Sequence, residues 1–331
     1  MLFHPGIMAL ILGSFLISFM VLYSSWFAIK ILRSWDLRSG SELQLDLERR
    51  TYLISTLLAC VFGFQLLSLF LYIFTGDRLH SLFVGAMCAA GVFFVNGFGY
   101  PVLLLKVINF LLAGLWLILN ISDNRGYDYP LIKPKYTLLL LIAPLVLLET
   151  ILQLNFFLPL RPDIITSCCG SLFKSNGTEL LTQLYAFPHI PMKIAFYLSI
   201  ALTIGLGLFY LKKGRGGTLF AVMAGVDLVI AILSIFSFIS LYFYELPTHH
   251  CPFCLLQGEY GYVGYPIYFS ILGSAISGMG VGLLMPFRKI ESLSRILPII
   301  QKKLVLVCLV LLLLLAFIVT YRMVVTDFIL E

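Results

Sequence analysis

Long apolar runs separated by short polar breaks fill this chain from end to end. The runs 5–29, 52–74, 102–119, 136–158, 194–211, 218–244, 266–285 and 304–322 each suffice, at about 1.5 Å per residue, to cross roughly 30 Å of hydrocarbon as an α-helix. The segment 81–100 is also apolar, but it is rich in Gly and Ala and ends in Asn-Gly-Phe-Gly-Tyr-Pro, where a helix breaks. The run at 5–29 has no basic residue ahead of it and no small-x-small cleavage site behind it, so it is expected to be a retained span rather than a signal peptide.

Charge decides how segment 81–100 is read. As a full span it would put Lys30, Arg33, Arg38, Arg49 and Arg50 on the opposite side from Lys212, Lys213 and Arg215, against the preference of short loops for one basic face. As a re-entrant segment it gathers those residues with Arg125, Lys133 and Lys135 and with Arg288, Lys289, Arg295, Lys302 and Lys303. The expected architecture is therefore an all-α polytopic membrane protein, a single membrane domain over 1–331 with about eight transmembrane helices, a re-entrant segment at 81–100 and an outer loop at 161–193. Both termini then face away from the basic side.

Composition agrees with the pattern. The 331 residues are 60% hydrophobic and 11% charged, and a mean hydropathy of +1.02 lies far from that of a soluble domain. The lipid bilayer is the first partner. A net charge of +6 does not imply a nucleic-acid partner, because the basic residues cluster at span ends where membrane orientation requires them.

That topology sorts the reactive side chains. All five histidines (His4, His80, His189, His249, His250) and five of the seven cysteines (Cys88, Cys168, Cys169, Cys251, Cys254) fall on the outer face. In a prokaryotic inner membrane this is the periplasmic side, where disulfides persist. There is also an internal echo: Cys88 precedes Gly99-Tyr100-Pro101 much as Cys254 precedes Gly264-Tyr265-Pro266, and Cys168-Cys169 precede Pro188 and Pro191. Hairpin repeats of this kind place sites at their interfaces.

Chemistry centres on His249-His250-Cys251-Pro252-Phe253-Cys254, which holds the one Cys-x-x-Cys of the sequence. With Pro252 at the first position of a short helix, Cys251 is expected at its N-cap, where free amides and the helix dipole favour a thiolate, and Cys254 is placed to resolve a mixed disulfide. Redox, metal-binding and purely structural roles all remain open for the pair. Attachment of a c-type haem is not among them, since the histidines precede the first cysteine instead of following the second. Cys168 and Cys169 form a second outer dithiol, suited either to relaying electrons by thiol exchange or to stapling the loop. Cys88 is a third thiol or ligand, or a small apolar filler; Cys60 and Cys308, within spans, are expected to be filler.

Lys106, Glu149 and Asp227 lie at membrane depth, where a charge is costly and marks a cofactor or ion route by default. Lys106 and Glu149 sit at similar depth and are expected to pair; Asp227 is the proton-handling candidate. The abundance of Phe and Tyr suits a quinone, although interface belts use the same residues.

An outward Cys251-x-x-Cys254 at the head of a descending helix, preceded by the loop pair Cys168-Cys169, resembles membrane disulfide-forming oxidoreductases of the vitamin K epoxide reductase type. The resemblance covers 161–285. It implies that Cys251 and Cys254 pass electrons to a quinone while Cys168 and Cys169 exchange with a thioredoxin-like protein. Adjacent loop cysteines and eight spans in place of a four-helix core set this chain apart from that pattern.

The leading expectation is thus an integral membrane thiol–disulfide oxidoreductase. A second reading, from another class, is a soft-metal or haem protein in which His249, His250, Cys251, Cys254, His80 and His189 hold Cu, Zn or haem. A third is a non-catalytic subunit whose disulfides tie its loops together or to other membrane subunits.

Overall fold

The computed structural model describes residues 1, 3–36, 39, 41–162, 164–166 and 188–328. The helices are α1 (Pro5–Ser34), α2 (Glu42–Leu79), α3 (Ala89–Phe93), α4 (Gly99–Asp123), α5 (Ile132–Phe157), α6 (His189–Lys213), α7 (Gly217–Ser234), α8 (Ser240–Tyr244), α9 (Gly264–Leu284) and α10 (Leu297–Val325). A π-turn at Ile235–Ile239 joins α7 to α8. Eight helical runs among the described residues are long and apolar enough to cross a bilayer. The chain is an integral membrane protein of all-α, polytopic fold.

Apolar periodicity finds the spans but not all their ends. The second run begins at Glu42, well before the apolar stretch, because 42–50 is a charged helical turn system in which Asp46 and Arg50 pair at 2.8 Å one turn apart. Segment 81–100 contains the turn His80–Leu82 and the five-residue α3, and Gly99-Tyr100-Pro101 then opens α4. Gly264-Tyr265-Pro266 opens α9 in the same way.

The helices form two compact units. The first holds residues 1–75, 95–162 and 287–298. Within it α1 and α4 both pack on α5. Without a hydrophobic drive between helices in lipid, polar side chains help bind them. Ser18 and Thr150 share a hydrogen bond of 2.7 Å, and the Gln153 amide donates to the Leu10 carbonyl at 3.0 Å and to Ser14 at 3.1 Å. Asp123 organises the α4–α5 turn by accepting the Leu131 N–H at 2.8 Å and the Lys135 ammonium at 2.6 Å. Lys135 is therefore not one of the exposed basic residues that orient the protein, as its position in sequence suggested. It is fully buried, and a carboxylate one loop away draws it inward.

The second unit holds residues 76–94, 163–286 and 299–331. Here α7 packs against α6 and α9. The α7–α9 contact is made of small residues. A Cβ added at Gly278 would come within 2.2 Å of the Ala224 side chain, and one at Gly282 within 2.4 Å of Ala221. On the outside, Phe19 and Trp26 of α1 are 70% and 64% exposed and Phe317 of α10 is 66% exposed, a surface suited to lipid rather than water.

Candidate metal and thiol centre

The sulfurs of Cys88, Cys251 and Cys254, all buried, lie within 4.8 Å of one another in the second unit. Cys88 Sγ is 3.5 Å from Cys251 Sγ across 163 residues of sequence. His249 Nε2 is 3.4 Å from Cys254 Sγ, so an imidazole stands at the edge of the trio.

Two chain segments are brought together here, and the sequence of each explains how. Gly85, at φ +90°, takes the left-handed conformation, and a Cβ on it would stand 2.1 Å from the Thr166 carbonyl oxygen. That approach lets Thr166 donate its N–H to the Val84 carbonyl at 3.0 Å and its hydroxyl to the Gly91 carbonyl at 2.9 Å. The segment is thereby folded into a compact turn with Cys88 at its end, directly before α3. Gln257 holds the other segment to it, donating to the Met87 carbonyl at 2.9 Å and to Asp77 at 3.1 Å. Below them the rings of Phe93 and Phe253 meet edge to face at 5.6 Å.

Cys251 is not an N-cap. The turn after it is a three-residue 3-10 helix, Cys254–Leu256, entered through Phe253. Remote hydroxyls have taken the carbonyls that an α-helix would use: Tyr244 donates to the Cys251 carbonyl, and Tyr268 donates to the Pro252 carbonyl at 2.7 Å. The helix-dipole argument for an activated Cys251 therefore does not apply. A second 3-10 turn, Gly258–Tyr260, follows, and left-handed Gly261 leads the chain into α9. Gly264 at the head of α9 lies so close to the cluster loop that a Cβ there would sit 2.9 Å from the Leu255 carbonyl.

The electrostatics follow from crowding three thiols. Contacts with Cys251 first and Cys88 second, and burial after them, push the Cys254 thiol well above the usual cysteine value. Burial lowers His249, opposed by the neighbouring Cys88, so its imidazole favours the neutral form that ligates metals. The Tyr244 ring meets His249 edge to face at 4.6 Å and fixes the imidazole plane.

The other expected ligands are elsewhere. His250 turns its Nδ1 to the Phe236 carbonyl at 2.8 Å. The His80 ring nitrogen is held by the Asp77 carbonyl of its own turn, and buried His189 Nε2 has no hydrogen-bond partner at the start of α6. Cys168 and Cys169 lie outside the described residues. Lys106 and Glu149 pair at 2.7 Å in the first unit, and Asp227 is in the second unit on α7. The structure adds Tyr244, Tyr268 and Gln257 to the site. Nothing in the sequence separates those two tyrosines from the other fifteen of its seventeen.

Comparison of the chain with protein-family models, with curated proteins and with solved structures finds no match in any of the three.

Proposed function

We propose that this is an integral membrane protein that binds a single soft or borderline metal ion, such as Cu(I) or Zn(II), through Cys88, Cys251 and Cys254, with the His249 imidazole beside Cys254 at the edge of the trio. The observation that carries the reading is the spacing of the sulfurs. Thiolates around a tetrahedral ion with metal–sulfur bonds of about 2.3 Å stand about 3.8 Å apart, whereas a disulfide draws two sulfurs to about 2.0 Å. The 3.5 Å separation of Cys88 and Cys251 and the 4.8 Å limit on the whole trio suit the first geometry. So does the donor set, since thiolate and imidazole together select such ions. A cage this narrow holds one ion and leaves no width for a haem.

The surroundings support the same reading. Three buried thiolates repel one another, and a cation among them turns that repulsion into attraction. Tyr244 and Tyr268 grip the successive carbonyls of Cys251 and Pro252, and Gln257 grips the Met87 carbonyl just before Cys88, so the donors are held by outer partners as metal ligands usually are. Because the sulfurs are almost fully buried, a soluble thiol partner has poor access to them.

The proposal is tested by loading the purified, reduced protein with Co(II) or Zn(II) in detergent and measuring stoichiometry. One ion per chain, with thiolate-to-cobalt charge-transfer absorption that disappears in Cys88→Ser, is expected. A protein that takes up no metal when reduced overturns it.

A second reading, thiol–disulfide exchange, is favoured by the closeness of Cys88 to Cys251. Two of the three thiols would join as a disulfide, giving two electrons and two protons to a quinone, which leaves as the quinol. Loss of two titratable thiols on mixing with a quinone, in protein that binds no metal, would support it over the first.

A further inference from the structure

The second unit contains a polar site that the cysteine cluster does not use. Asp227 of α7 is 5% exposed; the Thr203 and Ser199 hydroxyls of α6 stand beside its carboxylate, though neither oxygen has a well-formed hydrogen bond. It lines a crevice with Ser199 of α6, Ser274 of α9 and the apolar side chains Phe196, Ile271 and Leu312. The crevice has no room for a water molecule. Both serine hydrogens are already used, Ser199 donating to the Phe196 carbonyl at 3.1 Å and Ser274 to the Ile271 carbonyl at 3.0 Å. What these hydroxyls offer the crevice is lone pairs. One donor remains, the buried Thr203 hydroxyl on α6, which stands beside the Asp227 carboxylate.

An ionised carboxylate here would have the Thr203 hydroxyl as its main donor in a medium that penalises charge, with no cation in the crevice lining to balance it. The crevice lining from α6, α9 and α10 carries no charged side chain. The titratable group that faces Asp227 is Cys308 of α10, a thiol that adds no positive charge. A hydrated ion does not fit, but a proton does. Once protonated, the carboxyl becomes a donor and can use the lone pairs that surround it.

We propose that Asp227 is a proton-binding site within the membrane, taking up a proton as the neutral acid and giving it up when the unit rearranges. This inference does not depend on metal binding at the cysteines.

Infrared difference spectroscopy of the full-length protein in lipid, comparing the native chain with Asp227→Asn, tests it. The isosteric amide keeps the shape of the neutral acid, so the variant is expected to fold. A protonated-carboxyl band that is present in the native protein, absent in the variant and lost between acidic and alkaline pH is the expected result. A band that persists unchanged at all pH values makes Asp227 a sealed structural group and overturns the proposal. Absence of the band also overturns it. Reaction with a hydrophobic carbodiimide, located by mass spectrometry, gives a second readout: labelling of Asp227 that falls as pH rises is expected, and protection by sodium ions would replace the proton with sodium and overturn the assignment.

Discussion

The buried pair in the first unit permits a quantitative test of what holds that unit together. Glu149 accepts from Lys106 at 2.7 Å, from Gln65 at 2.7 Å and from Asn109 at 2.6 Å. Lys106 has one other donor contact, to Ser68 at 3.3 Å, and stands 5.6 Å above the Tyr72 ring. Lys106→Met leaves a buried carboxylate with two neutral donors and no countercharge. Glu149→Gln leaves a buried ammonium with neutral partners only, the Ser68 hydroxyl, the Tyr72 ring and at best an amide oxygen, and no countercharge. Each single change is expected to cost about 3–5 kcal/mol, the usual penalty for stranding one partner of a buried ion pair. At about 2–4 °C per kcal/mol this lowers the unfolding midpoint by about 6–20 °C. In Lys106→Met/Glu149→Gln no charge is stranded, and the glutamine can still bond Gln65 and Asn109. The double variant is therefore expected to lie within about 2 kcal/mol of the native protein, giving a coupling energy of several kcal/mol in the double-mutant cycle. Thermal unfolding in detergent, followed by tryptophan fluorescence and circular dichroism, provides the assay. If the double variant loses the sum of the two single losses, the pair is not the unit of stability inferred here.

Other outcomes follow from the second unit. Cys88→Ser, Cys251→Ser and Cys254→Ser should each abolish stoichiometric cobalt binding, whereas His249→Ala, which removes an edge donor, should weaken it about 10–100-fold without abolishing it; equilibrium dialysis separates the two. Metal uptake must displace thiol protons, and that of Cys254 is held more tightly than usual, so affinity should rise as pH rises through neutrality and proton release should accompany binding. Saturating metal at 100 times its dissociation constant should stabilise the second unit by about 2.7 kcal/mol, and a chelator should reverse the gain in midpoint. Gly264→Ala should disturb the cluster, because its new methyl would meet the Leu255 carbonyl at 2.9 Å. Reduced metal affinity with little change in helix content is the expected signature, and full native affinity would count against the close approach.

The spans were legible because lipid demands long unbroken apolar runs, and the two Gly-Tyr-Pro sequences marked helix starts at both Gly99 and Gly264. The extended start of α2 was not, because hydropathy fails to register a helix stabilised by Asp46 and Arg50. Lys135 misled for a related reason. A lysine in a short polar break looks like a surface charge until Asp123, on the preceding helix, is seen to face it. At the cysteine centre, sequence singled out Cys251, Cys254 and His249 by motif. Cys88 drew notice only as one thiol among several, since nothing local announces a partner 163 residues away. The local rule that made Cys251 an N-cap failed because two distant tyrosine hydroxyls compete for the backbone. Propensity cannot include partners that only tertiary structure supplies.

The separation between Cys88 and Cys251 also orders the protein's biosynthesis. Cys88 leaves the ribosome 163 residues ahead of Cys251. It must wait in the membrane through the insertion of α4 to α8 before the other thiols emerge. Until then it lacks both of its partners in the cluster and is open to oxidation or to capture by Cys60, Cys168 or Cys169. An ion that needed all three sulfurs could bind only after α7 and α8 had been placed, and it would close a ring through about half of the chain. Metal occupancy would thus report assembly through α8, giving the cell a later checkpoint than a locally paired motif could provide.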